Sequence, residues 1–326
     1  MDRRQFAGAL ALATAAGALV RPAAAQDKKF TVALIPGLTT DAFYITMHKG
    51  AQAAADALGV ELLFQGAPEF NPTLQVPVLQ AMIARQPDAL LIAPTDKQQL
   101  IAPLRQAHDA GIKVITVDTF IDDGKYQDGS GEGDFPLSYV ASDNVMGGRM
   151  AARALAQAIG EKGKVYVSNV KPGISTTDQR EQGFKEGMAE FANIEVLETQ
   201  FNDNDANKAS SQLQAVFARN QDLAGVFGAN LFSAFGAADG VKAAGKTGEI
   251  KVVAFDTPTR IIDDLKGGAV DFAIAQHPAE IGFYGVVTAF AALTDQSVPT
   301  SIGTGFTVMD RENIEKPEIQ RFVYSD

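Results

Sequence analysis

The sequence predicts an α/β fold in which mostly parallel sheets are covered by helices on both faces. From Lys29 onward, apolar runs of five to seven residues alternate with longer segments whose apolar residues recur every three or four positions. Several runs are apolar at every position, as expected for strands buried on both faces. The chain has 326 residues, enough for two domains of about 150 residues each. We therefore expect two lobes, each with its own core.

Residues 1–25 are expected to form a separate element, an export signal. Arg3 and Arg4 precede an apolar stretch at 7–20, and three small residues end at Ala25. This order is typical of a secretory signal that is cleaved near Ala25, and the arginine pair favours the twin-arginine route over the general one. An uncleaved membrane anchor is the alternative, but the apolar stretch is short for a membrane span. We expect a periplasmic protein.

The strands and helices of the predicted sheets follow one another in regular order. The strand candidates are FTVALI, VELLF, ALLIAP, KVITVD, YVAS, KVYVSN, IEVLE, GVFGAN, KVVAFD and FAIAQ. Helical periodicity is found at 44–58, 73–85, 97–110, 145–159 and 178–191. The glycine-rich, acidic segment 122–134 interrupts the alternation, and we expect it to be an exposed loop.

The composition excludes several classes of protein. With 28 basic and 39 acidic residues the formal net charge is −11, which works against binding to nucleic acid or to an anionic membrane. There is no cysteine, so disulfides, thiolate nucleophiles and cysteine-based zinc sites are excluded. The three histidines lie outside HExxH and GxSxG motifs; only His277, beside a strand end, merits attention. We expect no catalytic residues, no metal and no cofactor.

One segment matches a nucleotide-binding motif but stands in the wrong context for it. Residues 240–247, GVKAAGKT, fit the phosphate-loop pattern GxxxxGK[ST]. A phosphate loop follows a strand and opens a helix, so that backbone N–H groups face the phosphates. Here a helix comes first, Gly245 is placed to cap it, and a strand follows. ATP binding is therefore not expected.

Polar and aromatic side chains are predicted at the carboxyl ends of the strands, and Arg180 adds a guanidinium from the start of a helix. The carboxyl ends of parallel strands meet at one rim, where ligands bind in open α/β sheets. Planar groups with two hydrogen-bonding atoms suit adjacent hydroxyls, and rings cover the C–H face of a sugar or polyol. Helix capping is the alternative for single residues such as Asp41 and Ser142. The set is Asp41, Phe43, Tyr44, Asp118, Ser142, Arg180, Asn230, Asp256 and Gln276.

Eight segments, in the same order along nearly the whole chain, resemble the periplasmic sugar-binding proteins of the ribose-binding type, the substrate-binding proteins of ABC transporters. The segments are DAFYITMHKGAQAAADALG, PDALLIAPTD, GIKVITVDTF, ASDNVMGG, GISTTDQREQGF, GVFGAN, KVVAFDTP and IAQHPAEIG. The resemblance implies the periplasmic binding protein-like I fold, with two doubly wound lobes joined by a three-crossing hinge. The lobes would comprise 27–142 with 277–303, and 143–276 with 304–326.

The resemblance also implies ligand contacts, position by position, at Asp41, Phe43, Tyr44, Asp118, Arg180, Asn204, Asn230, Asp256 and Gln276. The chain departs from the ribose binders at three places. It has TDAF where they have NNPF, Thr119 where they have an arginine, and Ala93 in place of the asparagine of NPTD. These changes make the pocket more acidic, so the ligand could be a neutral polyol, a sugar other than ribose or a cation.

The function expected from these observations is that of a non-catalytic receptor. It would capture a small polyhydroxylated ligand between two lobes and deliver it, as a monomer, to an ABC permease in the inner membrane with its cytoplasmic ATPase. The same receptor with a cationic ligand is an alternative, and an exported α/β enzyme that uses Asp118 or Asp256 as acid or base is another. A transcription regulator of the same fold would begin with a basic DNA-binding helix-turn-helix rather than an export signal.

Overall fold

A computed structural model describes residues 29–324, and the expected export signal and its cleavage site lie outside these residues. The described chain forms two sheets, each covered by helices. The strands are β1 (Thr31–Ile35), β2 (Glu61–Phe64), β3 (Ala89–Ile92), β4 (Lys113–Val117), β5 (Ser138–Ser142), β6 (Gly163–Asn169), β7 (Ile194–Val196), β8 (Gln200–Phe201), β9 (Leu223–Gly228), β10 (Lys251–Phe255), β11 (Phe272–Gln276), β12 (Ser301–Thr304) and β13 (Phe306–Met309).

The helices alternate with the strands, as the periodicity predicts. Their bounds are α1 (Ala42–Leu58), α2 (Pro72–Ala84), α3 (Ile101–Asp109), α4 (Asn144–Ala158), α5 (Ser175–Met188), α6 (Ala206–Arg219), α7 (Leu231–Ala243), α8 (Thr259–Lys266), α9 (Pro278–Leu293) and α10 (Pro317–Gln320). Within the part of the chain that the structure describes, no helix combines the length and apolar character needed to cross a bilayer.

The first sheet has the strand order β12-β5-β4-β3-β1-β2, and the second has β13-β11-β10-β9-β6-β7 with β8 beside β6. Neighbouring strands are parallel except for β13, which runs antiparallel to β11. Along β1, Val32 and Leu34 face one core cluster, whereas Ala33 and Ile35 face another on the opposite side of the sheet. The second sheet alternates in the same way. Burial on both faces explains why these strands are apolar throughout.

The chain passes between the two sheets three times. It leaves the first sheet after β5, returns to it after β11, and leaves it again between β12 and β13. The second passage leads into α9, whose residues pack on the core of the first sheet. Thr304, assigned by the predicted limits to the second lobe, pairs with Ser142 in the first sheet. The lobe limits themselves remain a prediction.

Two helix pairs place the start of α1 and the middle of α5 beside the strand ends. A Cβ at Gly50 of α1 would overlap the backbone of Ala279 at the start of α9, and one at Gly148 of α4 would overlap the backbone of Arg180 in α5. Glycine is required at these positions because the backbones approach so closely. The contacts fix the helices that carry the candidate ligand-binding residues.

The segment 122–134 is mostly exposed, as expected for a loop, but the Tyr126 side chain within it is buried. A short 3-10 turn, Tyr126–Asp128, places the Tyr126 ring in the core cluster under α2 and α3. The Tyr126 hydroxyl is hydrogen-bonded to Thr116 Oγ1 at 2.5 Å. One aromatic side chain therefore anchors an otherwise polar segment.

The phosphate-loop look-alike has the structure expected from its context. Helix α7 ends before Gly245, which has the left-handed φ of 65° and donates its N–H to the Lys242 carbonyl. The Lys246 ammonium is paired with Glu249 at 2.6 Å. The segment is thus a helix end that leads into β10, not the start of a helix.

Candidate ligand-binding site

A cavity lies where the carboxyl ends of the two sheets face each other, and its empty space, with open solvent counted, is about 450 Å³. Nine of the ten predicted site residues line it, and Ser142 does not. The lining consists of Leu38, Asp41, Phe43, Tyr44, Phe70, Asp118, Val170, Ile174, Thr176, Thr177, Arg180, Asn204, Asn230, Asp256 and Gln276.

Asp118 presents a carboxylate from the first sheet. It follows β4 and has the left-handed φ of 62°, a conformation that costs energy in a residue with a side chain. The Tyr44 hydroxyl donates to Asp118 Oδ2 at 2.7 Å, and the Tyr139 hydroxyl donates to the Asp118 carbonyl at 2.7 Å. These two tyrosines hold both the side chain and the backbone of Asp118 in place.

Asp256 is the corresponding carboxylate from the second sheet. It follows β10 and also has a left-handed φ, of 80°. Its Oδ1 accepts from Gln276 Nε2 at 2.9 Å and from the Tyr324 hydroxyl at 2.9 Å. Gln276 ends the adjacent strand β11, so neighbouring strands place the amide and the carboxylate side by side. Together they offer both donors and acceptors to a ligand.

Arg180 supplies the positive charge of the cavity. It is 3% exposed and lies over the Phe255 ring with its guanidinium carbon 4.0 Å from the ring centroid. Its Nε donates to Asn144 Oδ1 at 2.8 Å, and its Nη1 donates to the Ala229 carbonyl at 3.0 Å. The guanidinium carries further N–H groups that can meet ligand oxygens. Stacking and hydrogen bonds fix its plane before a ligand arrives.

Two asparagines of the second lobe form a linked pair. Asn230 Nδ2 donates to Asn204 Oδ1 at 2.7 Å, and Asn230 Oδ1 accepts from the Ser233 N–H at 3.0 Å. Asn230 is thus the N-cap of α7, as the capping alternative allows, and it lines the cavity as well. Asp41 likewise caps α1 by accepting from the Phe43 N–H at 2.8 Å. Asp41 and Asn230 thus each cap a helix and line the cavity at the same time.

Burial of the carboxyl groups changes their acidity. Burial, followed by repulsion from Asp256, raises the pKa of Asp41 from 3.8 to about 7. Burial likewise raises the pKa of Asp118 to about 6, although the Arg180 cation and the Tyr44 hydrogen bond oppose the rise. Burial also raises the pKa of Tyr44 well above its ordinary value, so Tyr44 stays a hydrogen-bond donor. Asp41 and Asp118 therefore resist ionisation in the folded protein.

Two buried polar atoms of the lining lack a hydrogen-bond partner among residues 29–324: Gln276 Oε1 and Thr177 Oγ1. Buried polar atoms are normally paired, so such atoms are expected to bond to a ligand or to water. The site thus combines carboxylates, amides, a guanidinium and hydroxyls with the Phe43 and Phe70 rings. This is the arrangement that binds vicinal hydroxyls in the plane of a sugar ring while aromatic rings cover its apolar face.

Among the described residues, no cluster of His, Cys, Asp and Glu side chains is suited to hold a metal ion.

Ser142 lies in the first passage between the sheets rather than in the cavity lining. Its Oγ shares a hydrogen bond of 3.2 Å with Thr304 Oγ1, at the end of the paired strand β12. It is not the N-cap of α4 either, because Asp143 accepts from the Met146 N–H. Ser142 does not line the cavity, because its hydroxyl joins two passages between the sheets, and its role as a ligand contact stays a prediction.

His277 lies in the second passage and is held by neighbours. Its ring stacks on Phe322 with centroids 3.9 Å apart, its Nε2 is 3.0 Å from Thr307 Oγ1, and its Nδ1 is 3.2 Å from Glu280 Oε1. Burial lowers the pKa of His277, and the Glu280 carboxylate partly counteracts this effect. His277 packs the hinge and does not line the cavity.

Sequence reasoning missed several lining residues, of which Thr176 and Thr177 had a detectable signal. They precede Arg180 by four and three residues on α5, and this spacing places side chains on the same face of a helix. Leu38, Phe70, Val170 and Ile174 come from connecting segments. Such segments carry no periodicity from which their direction could be read.

Comparison with known proteins identifies the family. A model of the periplasmic binding protein domain matches residues 32–297. The ribose import binding protein of Haemophilus influenzae is 32% identical over 287 residues, which cover 88% of this chain and 92% of that protein. The D-allose-binding periplasmic protein of Escherichia coli is 28% identical and covers 75% of this chain and 78% of its own length.

Solved structures agree with this result and confirm the predicted fold class. An ABC transporter solute-binding protein from Agrobacterium vitis, bound with α-D-tagatopyranose, is 70% identical, covers 91% of this chain and 100% of its own, and has a TM-score of 0.91. A carbohydrate transporter solute-binding protein from Agrobacterium radiobacter, in complex with D-arabinose, is 26% identical, covers 91% of this chain and 99% of its own, and has a TM-score of 0.84. The chain therefore belongs to the periplasmic binding protein family, the solute-binding receptors of ABC transporters.

Proposed function

We propose that this protein is an exported receptor that captures one monosaccharide between its two lobes and delivers it to an ABC importer. The observation that carries the proposal is the convergence on one cavity of Asp118, from one lobe, with Asp256, Gln276 and Arg180, from the other. Carboxylate and amide groups from both lobes can bind different hydroxyls of the same small ring. A ligand that bridges the lobes favours the closed state.

The ligand proposed first is a ketohexose in its pyranose form. The Agrobacterium vitis protein that shares 70% of its residues with this chain is bound with α-D-tagatopyranose. Identity at that level supports a similar cavity, whereas the ribose and allose proteins share about a third of their residues or fewer. D-tagatose is therefore the first sugar to test, with other hexoses, pentoses and polyols beside it.

The remaining features of the proposal follow from the receptor role. The lobes comprise 27–142 with 277–303 and 143–276 with 304–326, and sheet membership supports this division except at Thr304, which ends β12 in the first sheet. The protein works without catalysis, as expected for a receptor of this family. It acts in the periplasm as a monomer after cleavage near Ala25, with an inner-membrane permease and its cytoplasmic ATPase as partners.

Thermal unfolding of residues 26–326 tests the proposal. The panel contains D-tagatose, other hexoses, pentoses, polyols and small organic cations. A ligand at a hundredfold excess over its Kd adds about 2.7 kcal/mol to the free energy of unfolding, and each kcal/mol raises Tm by roughly 2 to 4 °C for a unit the size of one lobe. Sugar recovered unchanged after incubation, by chromatography, supports a receptor without catalysis.

Two variants make this test specific to the cavity. Asp118→Asn removes a carboxylate that lines the cavity, so the Tm shift with sugar should be lost or strongly reduced. Asp143→Asn changes an exposed carboxylate that caps α4, where asparagine is an equally good cap, and the shift should persist. A shift with cations alone, or with no compound of the panel, would contradict the proposed function.

A further inference from the structure

The aspartates of the two lobes are built alike. Asp118 and Asp256 each follow a central strand, and each has a left-handed φ. The Asp118 N–H donates to the Val140 carbonyl and the Asp256 N–H to the Ile274 carbonyl, both at 2.9 Å. Each aspartate is thus turned out of its own strand while it stays bonded to the next strand in the sheet. The same geometry directs one carboxylate from each lobe into the cavity.

Each of these carboxylates also accepts a hydrogen bond from a buried tyrosine. Tyr44 donates to Asp118 Oδ2 at 2.7 Å, and Tyr324 donates to Asp256 Oδ1 at 2.9 Å. The Phe43 ring lies against both tyrosines, with centroid distances of 5.1 Å to Tyr44 and 6.0 Å to Tyr324. Tyr44 lines the cavity, whereas Tyr324 stands behind its lining residues.

Tyr324 takes part in a network of hydrogen bonds around Asp256. The Gln276 backbone N–H donates to the Tyr324 oxygen at 2.9 Å, and the Tyr324 hydroxyl donates to Asp256 Oδ1 at 2.9 Å, with the Gln276 carbonyl oxygen as a longer second acceptor at 3.5 Å. Gln276 Nε2 donates to the same Oδ1 at 2.9 Å. Two donors on Oδ1 restrain the rotation of the carboxylate and leave its second oxygen able to accept a hydrogen bond. Burial and the Asp256 charge raise the pKa of Tyr324 well above its ordinary value, which keeps the donor protonated.

The last described residues hold Tyr324 between the two lobes. Its N–H donates to the Thr257 carbonyl at 3.0 Å, and Thr257 Oγ1 donates to the Phe322 carbonyl at 2.8 Å. The Tyr324 ring is 2% exposed and packs in the core cluster of the first sheet, while its hydroxyl bonds to residues of the second. The segment is therefore joined to both lobes at the level of the cavity.

We propose that Tyr324 is a positioning residue of the ligand cavity, which sets sugar affinity and selectivity by fixing the orientation of Asp256 and Gln276. It is the counterpart, in the second lobe, of Tyr44 in the first. The inference rests on the proposed function, since it concerns how the same cavity binds its sugar. The C-terminal segment thereby becomes part of the binding machinery without touching the ligand.

Titration calorimetry with D-tagatose tests the role through a double-mutant cycle. The proteins are the wild type, Tyr324→Phe, Asp256→Asn and the double variant. Loss of a hydrogen bond to a charged group should weaken binding on the order of tenfold in Tyr324→Phe. Because the tyrosine acts through Asp256, the same change should cost less than about twofold in the Asp256→Asn background.

Tyr166→Phe is the matched control. Tyr166 is fully buried in the second sheet, and its hydroxyl has no hydrogen-bond partner within the described residues. Removing it should leave sugar affinity unchanged, because the variant loses a buried hydroxyl that orients nothing in the cavity. If Asp256→Asn abolishes binding, the double-mutant cycle cannot be completed, and the affinities of the wild type and Tyr324→Phe for a series of hexose epimers are compared instead. A positioning role predicts that Tyr324→Phe weakens binding unequally across the epimers, and an equal loss for every epimer contradicts it.

Two results separate the failure of this role from the failure of the proposed function. If the wild type binds sugar and Tyr324→Phe binds it equally well, or loses the same affinity in both backgrounds, the positioning role is overturned alone. If neither the wild type nor Tyr166→Phe binds any sugar of the panel while both remain folded, the proposed function is overturned and the positioning role falls with it.

Discussion

Replacing Asp41 by asparagine should stabilise the ligand-free protein while weakening its binding of sugar. Asp41 lines the cavity and caps α1 through the hydrogen bond from the Phe43 N–H. Asparagine has the same shape and is an equally good N-cap, so the substitution removes the charge and little else. A higher free energy of unfolding in the variant would show that the Asp41 carboxylate destabilises the fold and serves ligand binding instead.

The magnitude follows from the acidity of the group. The pKa of Asp41 rises from 3.8 to about 7 on folding, first because of burial and second because of Asp256. At roughly 1.36 kcal/mol per unit of pKa, this difference corresponds to about 4 kcal/mol. We expect Asp41→Asn to recover roughly 2 to 4 kcal/mol at pH 8, since part of the repulsion is shared with the neighbouring carboxylates.

The sign of the effect gives the pH dependence. Between pH 4 and pH 7 the unfolded chain has lost the Asp41 proton, whereas the folded protein still holds it. The folded state therefore binds more protons in this window, and the free energy of unfolding falls as the pH rises. The penalty is absent below about pH 4 and complete above about pH 7. The stabilisation of Asp41→Asn should consequently be large at pH 8 and close to zero at pH 4.

Thermal and urea unfolding of both proteins at pH 4, 6 and 8, without ligand, measures this dependence. Asp143→Asn is the control, because its exposed carboxylate also caps a helix but lies outside the cavity; its stability should differ little from that of the wild type at any pH. An Asp41→Asn protein that is less stable than the wild type at pH 8, or equally stabilised at pH 4 and pH 8, would refute the reasoning.

Two further substitutions separate binding from stability. Arg180→Met should abolish sugar binding and lower Tm, because it removes the buried cation beside the cavity carboxylates, at a cost of about 3 to 5 kcal/mol in the free energy of unfolding. The control Arg153→Met removes an exposed ion pair with Glu190 and should change Tm little. Calorimetry measures binding and thermal unfolding measures Tm for both variants. Tyr126→Phe should destabilise the chain by about 1 kcal/mol through loss of the bond with Thr116, yet leave sugar affinity unchanged by calorimetry. A reduced affinity in Tyr126→Phe would mean that this segment is coupled to the cavity.

Much of the site could be predicted because its residues stand at strand ends. Asp118, Asp256 and Gln276 directly follow or close apolar runs, and parallel strands point all their carboxyl ends to one rim. Asp41 and Asn230 could be placed too, since the helices they cap begin at the same rim. A simple rule of sheet geometry therefore relates the sequence to the cavity lining.

The features that were missed depend on contacts between distant segments. Tyr324 meets Asp256 across 68 residues of sequence, and nothing in the pattern of the short C-terminal segment indicates this contact. Ser142 has the right place at a strand end, but Thr304 from the third passage takes its hydroxyl. Tyr126 is buried although its neighbours are acidic residues and glycines. Composition predicts the average exposure of a segment and cannot predict one anchored ring.

The short strands β12 and β13 were missed for a different reason. They comprise four residues each, lie at the edges of the sheets, and are only partly apolar. Edge strands are exposed on one side and need not be apolar throughout. The third passage between the sheets runs from β12 to β13.

Small-angle scattering of residues 26–326 with and without D-tagatose tests the central claim most directly. Asp118, Arg180 and Asp256 come from both lobes and are each no more than 5% exposed, so we expect the lobes to enclose a bound sugar. The account predicts that a saturating sugar reduces the radius of gyration of the wild type and leaves that of Arg180→Met unchanged. An unchanged wild-type radius, at concentrations where calorimetry shows the sites to be filled, would contradict enclosure of the ligand between the lobes.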